Sequence, residues 1–100
     1  MYKGRYTGVL CDMEVFSLNR HKTIQCGEGG VITTDSDDFA MKCKLVRNHG
    51  DKVAAALGYE HFNHVGMNYR MTELEAAVAR AQLAKLEQLT APRIEYAQQI

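Results

Sequence analysis

The sequence predicts an α/β fold, because two short strand-forming runs precede two segments with helix-start signals. Residues 13–18 (MEVFSL) and 31–34 (VITT) are rich in the β-branched and aromatic side chains that favour strands. Residues 35–50 and 72–86 begin with capping residues and continue with apolar positions at helical spacing. Two short strands and two or three helices bury some core, but they do not close an α/β layer by themselves. We therefore expect this segment to be part of a larger domain.

The composition is typical of a folded globular protein. Hydrophobic residues make up 46% and charged residues 24% of the chain, unlike a disordered tail. Twelve Lys and Arg balance twelve Asp and Glu, so there is no basic footprint for nucleic acid. No apolar run approaches the ~20 residues of a membrane-spanning helix. Residues 1–5 (MYKGR) lack the apolar stretch of a signal peptide. By default, we predict a cytoplasmic protein.

Three cysteines occur at unrelated spacings: Cys11, Cys26 and Cys43. An odd number without a regular pattern argues against a disulfide framework. We expect free, partly buried thiols in a reducing compartment.

The two predicted strands are joined by a polar turn and a glycine cluster. Residues 19–22 (NRHK) follow the first strand, and residues 27–30 (GEGG) come immediately before the second. Strands this close in sequence, with a glycine turn between them, favour an antiparallel, hairpin-like pairing.

The first helix is predicted to begin in residues 35–38 (DSDD) and to end at Gly50. A small polar residue and acidic side chains satisfy the free amides and the positive end of the first helical turn. Lys42, Lys44 and Arg47 lie toward the C-terminal half, where positive charge is favourable.

Residues 50–71 show no sustained period, and a loop of this length in a compact domain is usually functional or else a misassigned element. Thr72 and Glu75 then have the spacing of a capping box, which opens a helix that we predict to run through Leu86. Pro92 is predicted to restart the chain, with residues 93–100 forming the first turns of a further helix. The predicted termini lie before a strand and inside a helix, so we expect a truncated segment.

Lys22 and Ser17 are the residues most able to carry chemistry. Lys22 follows a strand end and precedes the glycine cluster, and a lysine amine attacks aldehydes when its surroundings favour the neutral form. Ser17 lies five residues earlier, so its hydroxyl and the Lys22 amine are able to face one pocket, one holding a phosphate and the other an aldehyde. Taken singly, each is more often an ordinary residue, a solvated turn lysine or a strand serine.

Two other motifs carry less information. The GEGG cluster lacks both the GxGxxG spacing and the GK[ST] ending of nucleotide-binding loops, so positive φ and close backbone approach explain its glycines better. His49, His61 and His64 have no partnering cysteine or carboxylate at a closed-site spacing, and we predict no metal site.

Together these pieces closely resemble the DegT family of fold-type-I pyridoxal phosphate aminotransferases, and the block from the lysine to GEGG is strongly diagnostic. The resemblance covers almost the whole chain in the right order. It is carried by residues 16–18 (FSL), 22–24 (KTI), 27–35 (GEGGVITTD), 48–50 (NHG), 66–74 (GMNYRMTEL), 76–77 (AA), 81–86 (AQLAKL) and Arg93.

The resemblance implies a site and a reaction. Lys22 is similar to the Schiff-base lysine that also moves the substrate proton, and Ser17 is similar to the serine that binds the pyridoxal 5′-phosphate phosphate group. Asn68 is similar to an asparagine that reaches the cofactor phosphate of the neighbouring subunit, and Arg70 and residues 49–50 are further candidates for lining the site. The family transfers an amino group, from glutamate or glutamine, to keto sugars that are typically nucleotide-linked, and it works as a homodimer.

The same resemblance implies a domain division. Residues 1–89 correspond to the C-terminal part of the large cofactor-binding domain, and residues 90–100 to the start of the helix leading to the small C-terminal domain. The residue that pairs with the pyridine nitrogen would lie upstream, so we expect residues 1–100 alone to be inactive or nearly so.

Two alternatives remain open at this point. Family members that act as sugar dehydratases carry histidine in place of the cofactor lysine, and His21 is adjacent to Lys22. The five-residue step from Ser17 ends at Lys22, which favours transamination over a dehydratase or lyase. The other alternative is a non-catalytic fragment or a regulatory relative.

Overall fold

The computed structural model describes residues 2–50 and 65–100. In these residues it has two strands, β1 (Glu14–Ser17) and β2 (Gly30–Thr33), and three α-helices, α1 (Asp37–Arg47), α2 (Glu73–Leu83) and α3 (Leu86–Gln98), besides a short 3-10 helix at Thr7–Val9. The chain divides into two compact units. The first unit contains Met1–Val15 and Ile32–Arg70, and the second contains Phe16–Val31 and Met71–Ile100.

The two strands pair in one antiparallel sheet. The amide of Leu18, just after β1, donates to the carbonyl of Gly29, just before β2, at 2.8 Å. At the other end, the Thr34 hydroxyl donates to the carbonyl of Asp12 at 2.6 Å. The end of β1 therefore lies beside the start of β2, and the predicted hairpin-like pairing is confirmed.

Helix α1 begins and ends on the predicted signals. The hydroxyl of Ser36 accepts from the amide of Phe39 at 3.3 Å, and acidic residues occupy the first turn. The amide of Gly50 closes the C-terminal end by donating to the carbonyl of Leu45 at 2.8 Å, with Gly50 at a φ of 83° that suits glycine. Leu45 is fully buried.

Helix α2 opens with the predicted capping box. The Thr72 hydroxyl accepts from the amide of Glu75 at 3.2 Å, and the Glu75 carboxylate accepts from the amide of Thr72 at 3.0 Å. The Thr72 hydroxyl also donates to this carboxylate at 2.8 Å. The hydrogen bonds that the carboxylate accepts from the backbone and the side chain of Thr72 hold the pKa of Glu75 below its ordinary value.

The predicted boundaries of the last two helices are wrong. Helix α2 ends at Leu83, and α3 already begins at Leu86, so Pro92 lies inside α3 instead of starting it. The break comes at Lys85, whose amide donates to the carbonyl of Gln82 at 3.0 Å in the tighter i→i+3 pattern. A proline inside a helix removes one backbone hydrogen bond, which the surrounding turns of α3 tolerate here.

Few apolar side chains of the described residues are buried. Leu18 and Cys26 are buried in the second unit, and Leu45 is buried in the first. Val15 and Phe16 are neighbours on β1 and are both exposed, as are Val31 and Ile32 on β2. Because successive strand residues point to opposite faces, this sheet presents apolar side chains on both faces.

Some predictions fall outside the described residues. Most of the predicted loop of residues 50–71 does so, together with His61 and His64. None of the helices in the described part of the chain combines the length and the apolar character needed to cross a bilayer.

Candidate functional site

Lys22 lies on the loop that connects β1 to β2, which we call the lysine loop (residues 18–29). Its amide donates to the carbonyl of Asn19 at 2.9 Å, so the chain turns sharply after β1. The side chain is exposed, and within the described residues its ammonium makes no hydrogen bond or ion pair. The amine is therefore available to a ligand.

Ser17 is the last residue of β1, and the structure brings it to the same turn as Lys22. Its Oγ accepts a hydrogen bond from the amide of Asn19 at 3.3 Å. Because the oxygen accepts, the hydroxyl proton stays available for donation to an anion. Asn19 thus contacts both predicted site residues, since its carbonyl also receives the Lys22 amide.

The glycine cluster closes the lysine loop against β1. The amide of Cys26 donates to the carbonyl of Leu18 at 3.0 Å, and Gly29 returns the loop to the sheet. Gly29 has a φ of 154°, and a Cβ there would lie 2.8 Å from the Met71 methyl carbon and 3.2 Å from the Cys26 sulfur. The positive φ at Gly29 is as predicted for this cluster, whereas the atoms close to it belong to side chains and not to the backbone that the prediction expected.

A side-chain clamp crosses the lysine loop, and sequence reasoning missed it. Asn19 Nδ2 donates to Glu28 Oε1 at 2.7 Å, while Asn19 Oδ1 accepts from the amide of His21 at 3.1 Å. An asparagine in a turn often bonds the backbone two residues further on, so one half of this arrangement had a local signal. The other half, the bond to Glu28 nine residues away, had no local signal in the sequence.

A second missed contact joins the lysine loop to α3. The guanidinium of Arg93 donates from Nη1 to the hydroxyl oxygen of Thr23, the residue after Lys22. The two residues are 70 positions apart in the sequence but belong to the same unit. Arg93 entered the sequence prediction only through the family resemblance, without a partner.

The lysine loop carries two exposed cations, Arg20 and Lys22, against one carboxylate, Glu28. Arg20, His21 and Lys22 are consecutive and exposed. Arg20 Nε donates to His21 Nε2 at 3.2 Å, which requires that histidine nitrogen to carry no proton. Basic side chains around a free amine and hydroxyl attract an anionic ligand such as a phosphate.

Asn68 lies in the first unit, whereas Ser17 and Lys22 lie in the second. Backbone hydrogen bonds dock the segment of residues 65–70 on the end of α1: Met67 donates to Val46 at 2.8 Å, Tyr69 to Arg47 at 3.0 Å, and His49 to Met67 at 3.1 Å. Asn68 itself forms a β-bridge with Asn48 and is exposed.

Arg70 and residues 49–50 belong to the same arrangement in the first unit. Arg70 Nη1 donates to Asn48 Oδ1 at 2.6 Å. His49 has a φ of 65°, and a Cβ on Gly66 would lie 2.7 Å from the His49 carbonyl carbon and would also collide with Gly50. Glycine at position 66 is therefore what lets the two backbones meet.

No metal centre is formed by the residues that the structure describes. In the ranges 2–50 and 65–100, no group of three histidine, cysteine, aspartate or glutamate side chains is placed to hold a metal ion. All three cysteines are free thiols, with Cys26 buried, Cys43 half-buried and Cys11 exposed.

Comparison with known proteins supplies a family. The model of the DegT/DnrJ/EryC1/StrS aminotransferase family matches residues 1–100. A GDP-perosamine synthase from Caulobacter vibrioides is 41% identical to this chain over 92 residues, which are 92% of the chain and 24% of that protein. The chain thus spans about a quarter of the length of this curated relative.

Proposed function

Because the chain belongs to the DegT/DnrJ/EryC1/StrS aminotransferase family, we propose that the protein transfers an amino group to a keto sugar with pyridoxal 5′-phosphate as cofactor. The amino donor is glutamate or glutamine, and the sugar is nucleotide-linked. The name of the 41% identical GDP-perosamine synthase supports a nucleotide sugar. These residues contribute the part of the site that attaches the cofactor.

One observation carries this proposal: Ser17 and Lys22 share a single turn, in which both are bonded to Asn19. The Lys22 amide reaches the Asn19 carbonyl at 2.9 Å, and the Asn19 amide reaches the Ser17 hydroxyl oxygen at 3.3 Å. The Lys22 amine, which no described residue bonds, forms an imine with an aldehyde once it has lost a proton, and the Ser17 hydroxyl donates to a phosphate. The residues present therefore fit pyridoxal 5′-phosphate.

When bound, pyridoxal 5′-phosphate supplies an aldehyde that condenses with amines and a ring that withdraws electrons. Lys22 provides the amine that holds it and, once released, takes up and returns the substrate proton at Nζ. Ser17 donates its hydroxyl proton to a phosphate oxygen. The positive charge of Arg20 adds to the attraction for that anion.

A homodimer with shared sites is the arrangement we propose for Asn68. Its side-chain amide is exposed, and backbone hydrogen bonds of residues 67 and 69 fix the segment that presents it. An amide N–H on a rigid segment is a suitable phosphate donor for the cofactor of the neighbouring subunit. The keto sugar and the amino donor are the remaining partners.

The exposed sheet faces support a place for this segment in the large domain of a fold-type-I enzyme. Apolar residues on both faces, such as Val15 and Phe16, are typical of a sheet covered by helices on both sides. We propose that residues 1–89 belong to this domain and that residues 90–100 start the connection to a smaller C-terminal domain. Free cysteines agree with a reaction in the cytoplasm.

Borohydride reduction of the full-length protein with pyridoxal 5′-phosphate tests the assignment. The reduction makes the lysine–cofactor bond permanent, and peptide mapping then identifies the lysine. We expect the label on Lys22, none in Lys22→Ala, and turnover of a keto sugar lowered by about 10³-fold or more in that variant.

Lys44→Ala is the matched control, because Lys44 is an exposed lysine on α1 in the other unit. It should label and turn over like the unmodified protein. Labelling of a different lysine, or of none, contradicts the proposed function.

A further inference from the structure

Asn19 is the most highly connected polar residue of the lysine loop. All four of its polar atoms form hydrogen bonds: N with Ser17 Oγ at 3.3 Å, O with the Lys22 amide at 2.9 Å, Oδ1 with the His21 amide at 3.1 Å, and Nδ2 with Glu28 Oε1 at 2.7 Å. One half-buried residue therefore connects the two groups that the proposed cofactor needs with the far end of the loop.

The side chain, and not the backbone, makes asparagine specific here. Any residue supplies an amide to Ser17 and a carbonyl to Lys22. Only an amide side chain places an acceptor and a donor on one carbon, and the short reach of asparagine directs the acceptor at the backbone two residues on. Its donor then meets the Glu28 carboxylate, and hydrogen bonds to charged groups are shorter and stronger than neutral ones.

The clamp between Asn19 and Glu28 fixes the loop where Lys22 projects. An isolated β-bridge joins Asn19 to Gly27, and the amide of Arg20 donates to the carbonyl of Gly27 at 2.8 Å. The side-chain clamp lies beside this bridge and holds the same two stretches together. Lys22 lies between them, so its backbone direction depends on their staying in register.

We propose that Asn19, through its clamp to Glu28, is a positioning residue that presets Ser17 and Lys22 for one ligand. This rests on the proposed function, in which these two residues hold the phosphate and the aldehyde of the cofactor. Groups held at the right separation before binding react faster, because less freedom is lost on the way to the reactive arrangement. Asn19 acts through its neighbours and needs no contact with the reacting atoms.

The test measures how fast Lys22 is labelled when pyridoxal 5′-phosphate is added to the cofactor-free, full-length protein and borohydride stops the reaction. Asn19→Ala should slow labelling about tenfold, the loss expected for hydrogen bonds of ordinary strength. Without cofactor, the same variant should exchange the amide hydrogens of His21 and Lys22 faster.

A reciprocal pair of variants separates positioning from general damage to the fold. Asn19→Asp sets two carboxylates against each other, and it should slow labelling at least as much as Asn19→Ala. Adding Glu28→Gln restores a donor opposite the new acceptor, so Asn19→Asp with Glu28→Gln should recover most of the rate. If Asn19→Ala does not fold, this pair alone decides the question.

Gln25→Ala is the matched control in the same loop. It removes a hydrogen bond of similar kind, in which Gln25 Oε1 accepts from the Gly27 amide at 3.2 Å, without touching Asn19. Its labelling rate should match the unmodified protein. A normal rate in Asn19→Ala, an equal loss in Gln25→Ala, or no recovery in the pair overturns the inference alone. No label on Lys22 in the unmodified protein overturns the proposed function as well.

Discussion

The lysine loop and the segment of residues 65–70 both carry residues proposed to contact the cofactor, and both are held by backbone hydrogen bonds and an arginine contact. They differ in what is added: a side-chain clamp in the lysine loop, and a close approach of two backbone segments at Gly66 in residues 65–70. In the lysine loop, side chains close the turn: Asn19 reaches Glu28 at 2.7 Å, and Arg93 reaches Thr23. In residues 65–70, backbone hydrogen bonds of 2.8–3.1 Å join Met67 and Tyr69 to the end of α1.

This difference predicts which substitutions each region tolerates. Replacing one polar residue removes one side-chain contact, so substitutions in the lysine loop should lower its stability in small steps. Backbone hydrogen bonds survive most side-chain substitutions. They are lost when an added atom keeps the two bonded backbone segments apart, as a Cβ at Gly66 would. Paired substitutions of a glycine and of an arginine, one in each region, probe this contrast, and the cap of α2, which follows residues 65–70, gives a third and smaller effect.

Gly66→Ala should be the most damaging of these substitutions, because its Cβ would overlap backbone atoms of His49 and Gly50. We expect a loss of about 3 kcal/mol in local stability, as for overpacked sites. Gly27→Ala is the counterpart in the lysine loop, where φ is 98° but no atom lies within 4 Å of the new Cβ. It should cost only about 1–2 kcal/mol, from backbone strain.

Hydrogen exchange of the Met67 and Tyr69 amides measures the first effect, and exchange of the Cys26 amide measures the second. If both substitutions cost the same, steric contact is not what distinguishes the two regions.

Arg93→Met and Arg70→Met compare one arginine contact in each region. Each removes a guanidinium donor to a neutral oxygen, of Thr23 in one case and Asn48 in the other. Both contacts are exposed, so we expect about 1 kcal/mol or less for each, or up to about fivefold in amide exchange.

The location of the effect is the informative part. Arg93→Met should speed exchange in the lysine loop, 70 residues away in sequence, and leave Tyr69 unchanged. Arg70→Met should do the reverse. An unchanged lysine loop in Arg93→Met would show that the contact with α3 does not stabilise it.

The start of α2 should weaken in acid, and this is the smallest of the three effects. The pKa of Glu75 is held below its ordinary value of 4.5 by hydrogen bonds from Thr72. A lowered pKa in the folded state means that the carboxylate contributes fully above pH 4.5 and that this contribution is lost as the pH falls through the lowered pKa.

Amide exchange at Glu75 and Ala76, measured across this pH range, checks the effect. Glu75→Gln keeps an oxygen that reaches back to the Thr72 amide but does not titrate, so it should remove the pH dependence. If the helix cap of Glu75→Gln still weakened as the pH fell, a group other than Glu75 would be responsible.

Local signals explain what could be predicted. The cap of α1 at Ser36 and the capping box at Thr72 and Glu75 are contacts over three residues, so both helix starts were visible in the sequence. The start of α3 was predicted wrongly at Pro92, because proline usually disfavours the interior of a helix, whereas here it lies inside one. Ala84 and Lys85 are good helix formers, and nothing local marks the break between α2 and α3 there.

The same distinction between local signals and long-range contacts applies to the candidate site. Lys22 and Ser17 became candidates through their chemistry and spacing, and the family resemblance then gave them their predicted roles. The partners of Asn19, Arg93 and Arg70 were not, since these contacts span 9, 70 and 22 residues. No periodic pattern pairs residues at such separations.

The amino-acid sequence by itself determined the strand-forming runs, two helix starts, and the amine and hydroxyl that equip the lysine loop, because these depend on residue type and on neighbours within one turn. The tertiary structure decided where α2 ends and which carboxylate bonds the Asn19 side chain. It also decided that Gly66 lies too close to the backbone of residues 49–50 to carry a side chain. Those outcomes depend on distances between residues far apart in the chain, and only the folded backbone sets such distances.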